Sequence, residues 1–187
     1  MLSRVAVIVL AAGLSTRFGA QDKLMANVQG RPMIAHVLDM VRGLTVGQRV
    51  MVTRAESAVL NLSEGFEVVI NPAPEAGMGR SLAMGVAAVR PDIEAVMVVL
   101  GDMPFVTSGA CAAVLAAADG DIVVPLYGGR QGHPVLFRRC CFAALRGLEG
   151  TEGGKSIMGA FQVQSVAVEG DGGLVDVDRP EDIASLK

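Results

Sequence analysis

The sequence contains no tryptophan and a single tyrosine, Tyr127, so its core must be built mainly from aliphatic residues and methionine. Its three cysteines, Cys111, Cys140 and Cys141, are odd in number and lack CxxC spacing. This argues against both a disulfide framework and a zinc site. We therefore expect reduced cysteines that act as buried spacers in a cytoplasmic protein.

A strong excess of charge of either sign is also missing. Sixteen Lys and Arg residues face nineteen Asp and Glu residues, for a formal net charge of −3, and the basic residues form neither a tail nor a run. These features argue against a general nucleic-acid or membrane-surface binder. The apolar run in residues 1–10 is too short for a transmembrane span. A polyanionic ligand would therefore have to be held by local groups.

What the sequence does have is apolar residues, at 51% of the chain, in short β-branched runs that alternate with helix-period segments. The runs predict strands at Val5–Leu10, Arg49–Thr53, Phe66–Ile70, Ala95–Leu100, Asp121–Pro125, Val135–Phe137 and Val163–Glu169. Helices are predicted at Pro32–Val41, Ser81–Val89, Ser108–Ala118, Phe142–Leu148, Lys155–Phe161 and Arg179–Lys187. This alternation predicts a Rossmann-like three-layer α/β/α fold with a mostly parallel sheet, in one domain over residues 1–187.

The first predicted strand leads directly into a turn that contains Gly13, Ser15 and Gly19. Small residues let the backbone approach a ligand closely, and exposed N–H groups in such a turn can bind anions. Arg17 and Lys23 add two cations to the same neighbourhood, a combination suited to a triphosphate. The alternative is an ordinary turn whose Arg and Lys lie on the surface.

Asp102 follows Gly101 at the carboxyl end of the most hydrophobic predicted strand. Ligands of open α/β sheets bind at this edge, and a carboxylate there can hold Mg²⁺. The alternative is that Asp102 caps the helix predicted to start near Thr107 or Ser108, or fixes a turn.

A further candidate site lies at the entry to the helix predicted from Ser81. Asn71 ends the preceding strand, and the glycines of residues 77–79 open the helix, where free N–H groups could contact a ligand. Alternatively, Ser81 is a plain N-cap.

The order of these motifs resembles the molybdenum cofactor nucleotidyltransferases, within the sugar-nucleotide-transferase-like group. Residues 10–19 match their opening signature LAxGxSxRxG, and Lys23 and Leu24 match the KL pair that follows. LGDMP at 100–104 resembles the family's metal-binding motif, and GMxxSL at 77–82 resembles a segment near the base. The resemblance implies nucleotide binding by the residues Leu10, Ala11, Ala12, Gly13, Ser15, Arg17, Lys23, Asn71, Ser81 and Gly101. It also implies catalytic roles for Arg17, Lys23 and Asp102.

The carboxyl-terminal half continues the resemblance with one departure. GxxGHP at 129–134 suggests that His133 contacts the acceptor, although a structural histidine fixed by Pro134 is the alternative. Where relatives show GDxGxR, this chain has Thr151 and Lys155, and a lysine offers phosphate a point charge without the arginine fork. DVDRPED at 176–182 resembles DxDxPED and implies a second metal ligand, with Asp178 favoured over Asp176.

The resemblance implies a reaction in which CMP passes from CTP to a molybdopterin-type molybdenum cofactor. Ala12 favours CTP, because the GTP-using relatives have glycine there and a methyl group can exclude a bulky purine. The expected cofactor is Mg²⁺, with Mn²⁺ as an option, and the expected partner is a molybdenum hydroxylase or its chaperone. Two alternatives stay open: another nucleotide or phosphorylated acceptor, and a nucleotide-binding maturation factor without turnover.

Overall fold

The computed structural model describes residues 2–14, 18, 22–117, 119–175, 177 and 182. Within these residues lie ten β-strands: β1 (Val5–Ala11), β2 (Asn27–Val28), β3 (Arg31–Pro32), β4 (Gln48–Thr53), β5 (Glu67–Ile70), β6 (Ala95–Leu100), β7 (Ile122–Tyr127), β8 (Arg130–Gln131), β9 (Val135–Arg138) and β10 (Val163–Val168). The α-helices of the same residues are α1 (Met33–Arg42), α2 (Met78–Ala87), α3 (Ser108–Ala116) and α4 (Phe142–Arg146). Short 3₁₀ segments connect many of these elements.

The central sheet has the strand order β10-β7-β9-β6-β1-β4-β5, and β8 pairs with β7 outside this path. The pairs β1–β4, β1–β6, β4–β5 and β7–β10 are parallel. Strand β9 runs antiparallel to both β6 and β7, between which it lies. The predicted α/β architecture with a mostly parallel sheet is therefore confirmed.

Helices cover the sheet on both faces, which explains why strand β1 is apolar throughout. Its alternate residues Val7 and Val9 face a core that contains residues of α1 and α3. The intervening Ala6 and Ile8 face a second core, formed with α2 and α4. Because side chains alternate across a strand, a strand covered on both faces must be apolar at every position.

The strand order reverses at β1, and this reversal positions the site. After β1 the chain places β4 and β5 on one side, then returns to place β6 on the other side. The register aligns Leu10 with Leu100, so β1 and β6 end at the same level. In open α/β sheets the crevice at such a reversal is the usual ligand site.

Several predicted boundaries differ from the structure. Helix α2 begins at Met78, before Ser81, and the helix predicted near Lys155 is a 3₁₀ segment, Gly154–Ala160. Strand β5 was expected to be buried, but it is the last strand on its side of the sheet and three of its four residues are exposed. The predicted closing helix at 179–187 lies outside the described residues, apart from Asp182.

The expectation of buried cysteines holds for Cys111 and Cys141 and is wrong for Cys140, which is exposed. The two neighbours differ because they belong to a 3₁₀ turn before α4, where only Cys141 turns into the core. All three are free thiols. Among the described helices, none has the length and apolarity that a membrane crossing requires.

Candidate functional site

A cavity of about 390 Å³ opens at the carboxyl edge of the sheet, beside the reversal at β1. Its lining residues come from the end of β1, the 3₁₀ turn after it, the entry to α2 and the end of β6. They are Leu10, Ala11, Ala12, Gly13, Leu14, Phe18, Lys23, Leu24, Pro74, Glu75, Gly77, Met78, Ser81, Leu100 and Asp102. The structure thus brings together most of the described residues that the sequence assigned to a nucleotide.

Lys23 and Asp102 form an ion pair inside this cavity. Lys23 Nζ lies 2.9 Å from Asp102 Oδ2, and the two side chains are only 13% and 24% exposed. Asp102 does not cap the following helix, because the Thr107 side chain accepts the N–H of Ala110 there. The alternative role of Asp102 as a cap is therefore excluded, and its carboxylate is available to the cavity.

A second ion pair, which no sequence motif indicated, supports the turn that carries Lys23. Asp22 is the N-cap of this 3₁₀ turn, and its Oδ1 accepts the backbone N–H of Leu24 at 3.2 Å. Its other carboxylate oxygen accepts hydrogen bonds from Arg54 Nη2 at 2.7 Å and from the Ser57 hydroxyl at 2.8 Å. Lys23 therefore extends from a turn whose N-cap residue, Asp22, accepts hydrogen bonds on both of its carboxylate oxygens.

The carboxyl-terminal segment contacts Asp102, one of the residues that line the cavity. The backbone N–H of Val177 donates to the backbone carbonyl of Asp102 at 3.3 Å, and the Val177 side chain is fully buried. Asp176 and Asp178, the neighbours of Val177 in the sequence, lie outside the described residues, as do Ser15 and Arg17. Over the residues that are described, no group of three or more His, Cys, Asp or Glu side chains could hold a metal ion.

Ser81 lines the cavity, whereas Asn71 and Gly101 are not among its lining residues. The buried Asn71 side chain donates to the Ser81 hydroxyl at 2.9 Å and accepts the N–H of Ala73. The Gly101 N–H donates to the Leu10 carbonyl at 2.9 Å, and a Cβ on Gly101 would meet Ile34 at 2.8 Å. Ser81 is not an N-cap, because Gly77 occupies that position in α2.

The glycines at the start of α2 serve a packing role that the sequence did not reveal. The Gly79 N–H donates to the carbonyl of Gly150 at 3.0 Å. An added Cβ would lie 2.3 Å from the Gly150 carbonyl oxygen at Gly77 and 2.6 Å from the Glu152 carbonyl oxygen at Gly79. These positions let the loop of residues 149–153 rest directly on the helix, so this helix end faces protein backbone as well as the cavity.

That loop leads into a second cavity of about 250 Å³, which adjoins the first and shares Leu10, Met78 and Leu100 with it. Its remaining lining residues are Leu82, Val98, Val124, Gln131, Gly132, His133, Val135, Phe137, Gly153, Gly154, Lys155 and Met158. The floor is apolar, and His133 and Lys155 are among its few polar residues. Both predicted acceptor residues therefore line one cavity beside the predicted nucleotide site.

His133 is held by its backbone on two sides. Its N–H donates to the Gly173 carbonyl at 2.9 Å, and its own carbonyl accepts the Tyr127 hydroxyl at 2.6 Å. Burial raises the pKa of Tyr127 to about 12, so the phenol remains a donor at any physiological pH. No sequence motif indicated this role for the single tyrosine.

Comparison with known proteins agrees with this geometry. The mostly parallel sheet, covered on both faces, and the match to a family model place the chain in the class of NTP transferase domains. More particularly, residues 7–166 match the MobA-like NTP transferase domain, and the chain belongs to this family.

Individual relatives are more distant. The chain is 26% identical to the purine catabolism protein PucB of Bacillus subtilis over 94% of this chain and 92% of PucB. It is 32% identical over 64% of its length to the bifunctional protein GlmU of Paracidovorax citrulli, but spans only 26% of that protein. The crystal structure of Rv0371c from Mycobacterium tuberculosis shares 26% identity, covers 100% of this chain and 98% of its own, and superposes with a TM-score of 0.87. Rv0371c has also been crystallised in complex with manganese, with 25% identity and a TM-score of 0.82.

Proposed function

We propose that this protein transfers a nucleotidyl group from a nucleoside triphosphate, with CTP favoured, to the terminal phosphate of a molybdopterin-type cofactor. An acceptor phosphate oxygen forms a bond to the α-phosphorus, the bond between the α-phosphorus and the bridging oxygen breaks, and pyrophosphate leaves. The observation that carries the proposal is the Lys23–Asp102 pair in a cavity that adjoins a second, His133-lined cavity. Two contiguous cavities suit a reaction between two bound substrates.

The first cavity is the nucleotide site in this account. Its volume lies in the range of small-molecule sites, roughly 300–1,000 Å³. The backbone of residues 10–13 and the Lys23 ammonium would contact phosphate oxygens, and Arg17 would add a second cation. Ala12 lines the cavity with its methyl group, which supports discrimination against a purine.

The chemistry of the site fits a divalent ion. Asp102 offers hard carboxylate oxygens toward the cavity. Val177, whose backbone N–H donates to the Asp102 carbonyl, has Asp176 and Asp178 as its neighbours in the sequence. We infer that Asp102, with Asp178 or Asp176, would hold Mg²⁺ or Mn²⁺. The ion would neutralise negative charge that builds on the phosphates during transfer.

The second cavity is the acceptor site in this account. Its apolar floor suits a ring system, and Lys155 would attract the acceptor's phosphate as a point charge. His133 is assigned to acceptor contact and not to proton removal, because a phosphate monoester is already largely ionised near neutral pH. Leu10, Met78 and Leu100, which both cavities share, would lie between the two substrates.

The test is a matrix of pyrophosphate-release assays with CTP, GTP, ATP and UTP, each with Mg²⁺ or Mn²⁺ and each with three acceptors. The acceptors are purified molybdopterin cofactor, a sugar phosphate and an alcohol phosphate. We expect release above background only with the molybdenum cofactor, and fastest with CTP. Release with another nucleotide or acceptor would correct the substrate and keep the reaction. Nucleotide binding without product formation with any acceptor would overturn the enzymatic proposal in favour of a maturation factor for a molybdenum hydroxylase.

A further inference from the structure

We propose that Arg54 is a positioning residue that joins Gly13, in the wall of the proposed nucleotide cavity, to Asp22, the cap of the turn that carries Lys23, without touching the nucleotide. The inference rests on the proposed function, because it concerns the same nucleotide site. Arg54 follows β4 directly, in a position that none of the sequence motifs includes. It does not line either cavity formed by the described residues.

The guanidinium of Arg54 bridges two points that flank the signature segment in the sequence. Its Nη1 donates to the Gly13 carbonyl at 2.5 Å, and its Nη2 donates to Asp22 Oδ2 at 2.7 Å. Gly13 lies two residues after β1, and Asp22 precedes Lys23. One side chain therefore joins a residue of the cavity wall to the cap of the turn that carries Lys23.

The Asp22 side of this bridge is partly shielded from solvent. The Arg54 side chain is 21% exposed and the Asp22 side chain is 10% exposed. The Ser57 hydroxyl donates to the same Asp22 oxygen at 2.8 Å, so the carboxylate is held from two sides. A charge-assisted, partly buried contact of this kind is stronger and more restrictive than a surface pair.

The strand register explains why an arginine at this position can reach both Gly13 and Asp22. Thr53 is paired with Ala11 in the parallel ladder, and the Thr53 hydroxyl donates to the Ala11 carbonyl at 3.2 Å. Arg54 therefore leaves β4 at the level at which the chain leaves β1. Its forked, planar group can bond a carbonyl and a carboxylate at once, which a lysine ammonium does less well.

The consequence for the nucleotide is entropic and geometric. Fixing Gly13, which lines the first cavity, to Asp22 holds this part of the cavity wall and the turn that carries Lys23 in one arrangement before any ligand binds. Asp22 also caps the turn that carries Lys23, whose ammonium pairs with Asp102. Loss of the bridge should therefore weaken nucleotide binding more than it slows the chemical step.

The experiment compares Arg54→Met, Arg54→Lys and Asp22→Asn with a matched control, Arg49→Met. Arg49 is also half-buried and donates to three backbone carbonyls at and just after the carboxyl end of α1, and it lines neither cavity. In pyrophosphate release we expect Arg54→Met to raise KM for MgCTP about tenfold with kcat changed less than about threefold. Arg54→Lys should recover part of this loss, and Arg49→Met should leave KM unchanged.

Asp22→Asn separates the bridge from a simple effect of charge near the triphosphate. Removing a negative charge would by itself lower KM for a polyanion, whereas loss of the bridge raises it. We expect KM to rise in Asp22→Asn, and the double variant with Arg54→Met to be no worse than Arg54→Met alone. A lower KM in Asp22→Asn would overturn the inference.

Amide hydrogen exchange of the peptide covering residues 10–25 gives a readout that needs no nucleotide. Exchange in this peptide should accelerate in Arg54→Met and Asp22→Asn but not in Arg49→Met. Unchanged exchange in both would overturn the bridge even if the enzyme is active. If the variants exchange faster but the wild-type protein binds no nucleotide, the bridge stands. That result would instead refute the proposed function and, with it, the nucleotide role of Arg54.

Discussion

Lys23 and Asp102 lie far apart in the sequence, yet their side chains form a 2.9 Å ion pair at the carboxyl edge of the sheet. Asp102 lies two residues after β6, and Lys23 lies in the 3₁₀ turn Lys23–Met25, which follows β1 in the chain. The pair forms at the level where β1 and β6 end together. Each charge is thereby balanced in a partly buried cavity. Removal of either side chain would leave the other without this partner in a setting that solvates it poorly.

The first prediction concerns Asp102→Asn, which keeps the shape of the side chain and removes its charge. We expect turnover to fall at least about 100-fold, because the residue is assigned to stabilising charge in the transition state. The fold should remain, with a loss of stability of about 1–3 kcal/mol from the broken pair. Pyrophosphate release and thermal unfolding measure the two effects.

Asp92→Asn is the matched control for this substitution, because Asp92 is a surface carboxylate that pairs with Arg90. It should leave turnover within about twofold of wild type, as surface pairs contribute little. Turnover near the wild-type rate in a folded Asp102→Asn variant would remove Asp102 from the catalytic account.

The second prediction concerns the choice of base. Ala12 is 4% exposed and lines the nucleotide cavity, so Ala12→Gly removes a methyl group from the cavity wall. The ratio of kcat/KM for CTP to that for GTP should fall about tenfold, mainly through better use of GTP. The neighbouring Leu14→Ala variant tests whether any loss of volume at the cavity has the same effect. An unchanged ratio in Ala12→Gly would show that the base is selected elsewhere.

The third prediction concerns the contact between α2 and the loop of residues 149–153. In Gly79→Ala the new Cβ would lie 2.6 Å from a backbone carbonyl oxygen, so the loop must move. Because this loop leads into the second cavity, KM for the acceptor should rise about tenfold while KM for CTP changes little. Gly159→Ala is the control, since its Cβ would meet nothing within 4 Å. Equal effects on both substrates would contradict the separation of the two cavities.

The fold was largely predictable because the amino-acid composition of the strands identifies them. β1 and β6 are continuous apolar runs, and runs of this kind between helix-period segments permit few arrangements other than a covered parallel sheet. The antiparallel direction of β9 was not predicted, because a four-residue strand looks the same in either direction. The start of α2 was missed because glycines at residues 77 and 79 are typical of a loop. In the structure they leave room for the backbone of the loop of residues 149–153 to pack against the helix.

The candidate site was predictable only where residues belong to a motif. Lys23, Asp102 and His133 stand in short signatures, and the described structure places all three at the paired cavities. Arg54 and Tyr127 were missed because they act on backbone carbonyls, and a contact to a carbonyl leaves no pattern in the sequence. Asn71 was assigned to the ligand but holds Ser81, a distinction that depends on side-chain orientation alone.

The fourth prediction concerns stability at alkaline pH. Burial raises the pKa of Cys111 to about 12 in the folded protein, above the value of about 8.5–9 for an exposed thiol. The contribution of this group to stability is therefore complete below about pH 8.5 and is lost as pH rises toward 12. Above about pH 9 the loss amounts to roughly 1.4 kcal/mol per pH unit. Urea unfolding of wild type and Cys111→Ala at pH 7.5 and pH 10.5 measures it.

The variant should be less stable than wild type at pH 7.5, and the difference should shrink by about 2 kcal/mol at pH 10.5. Cys141, whose pKa burial also raises to about 12, contributes equally to both proteins and cancels in the comparison. A difference that does not change with pH would contradict the protonated, buried state of the Cys111 thiol.

Calorimetric titration of the protein with CTP, GTP, ATP and UTP in the presence of Mg²⁺ tests the proposed nucleotide site directly. We expect saturable binding of CTP at a single site, at least about tenfold tighter than GTP, and severely weakened by Lys23→Met and Asp102→Asn. Absence of binding by every nucleotide, or CTP binding that both substitutions leave intact, would contradict the proposed site.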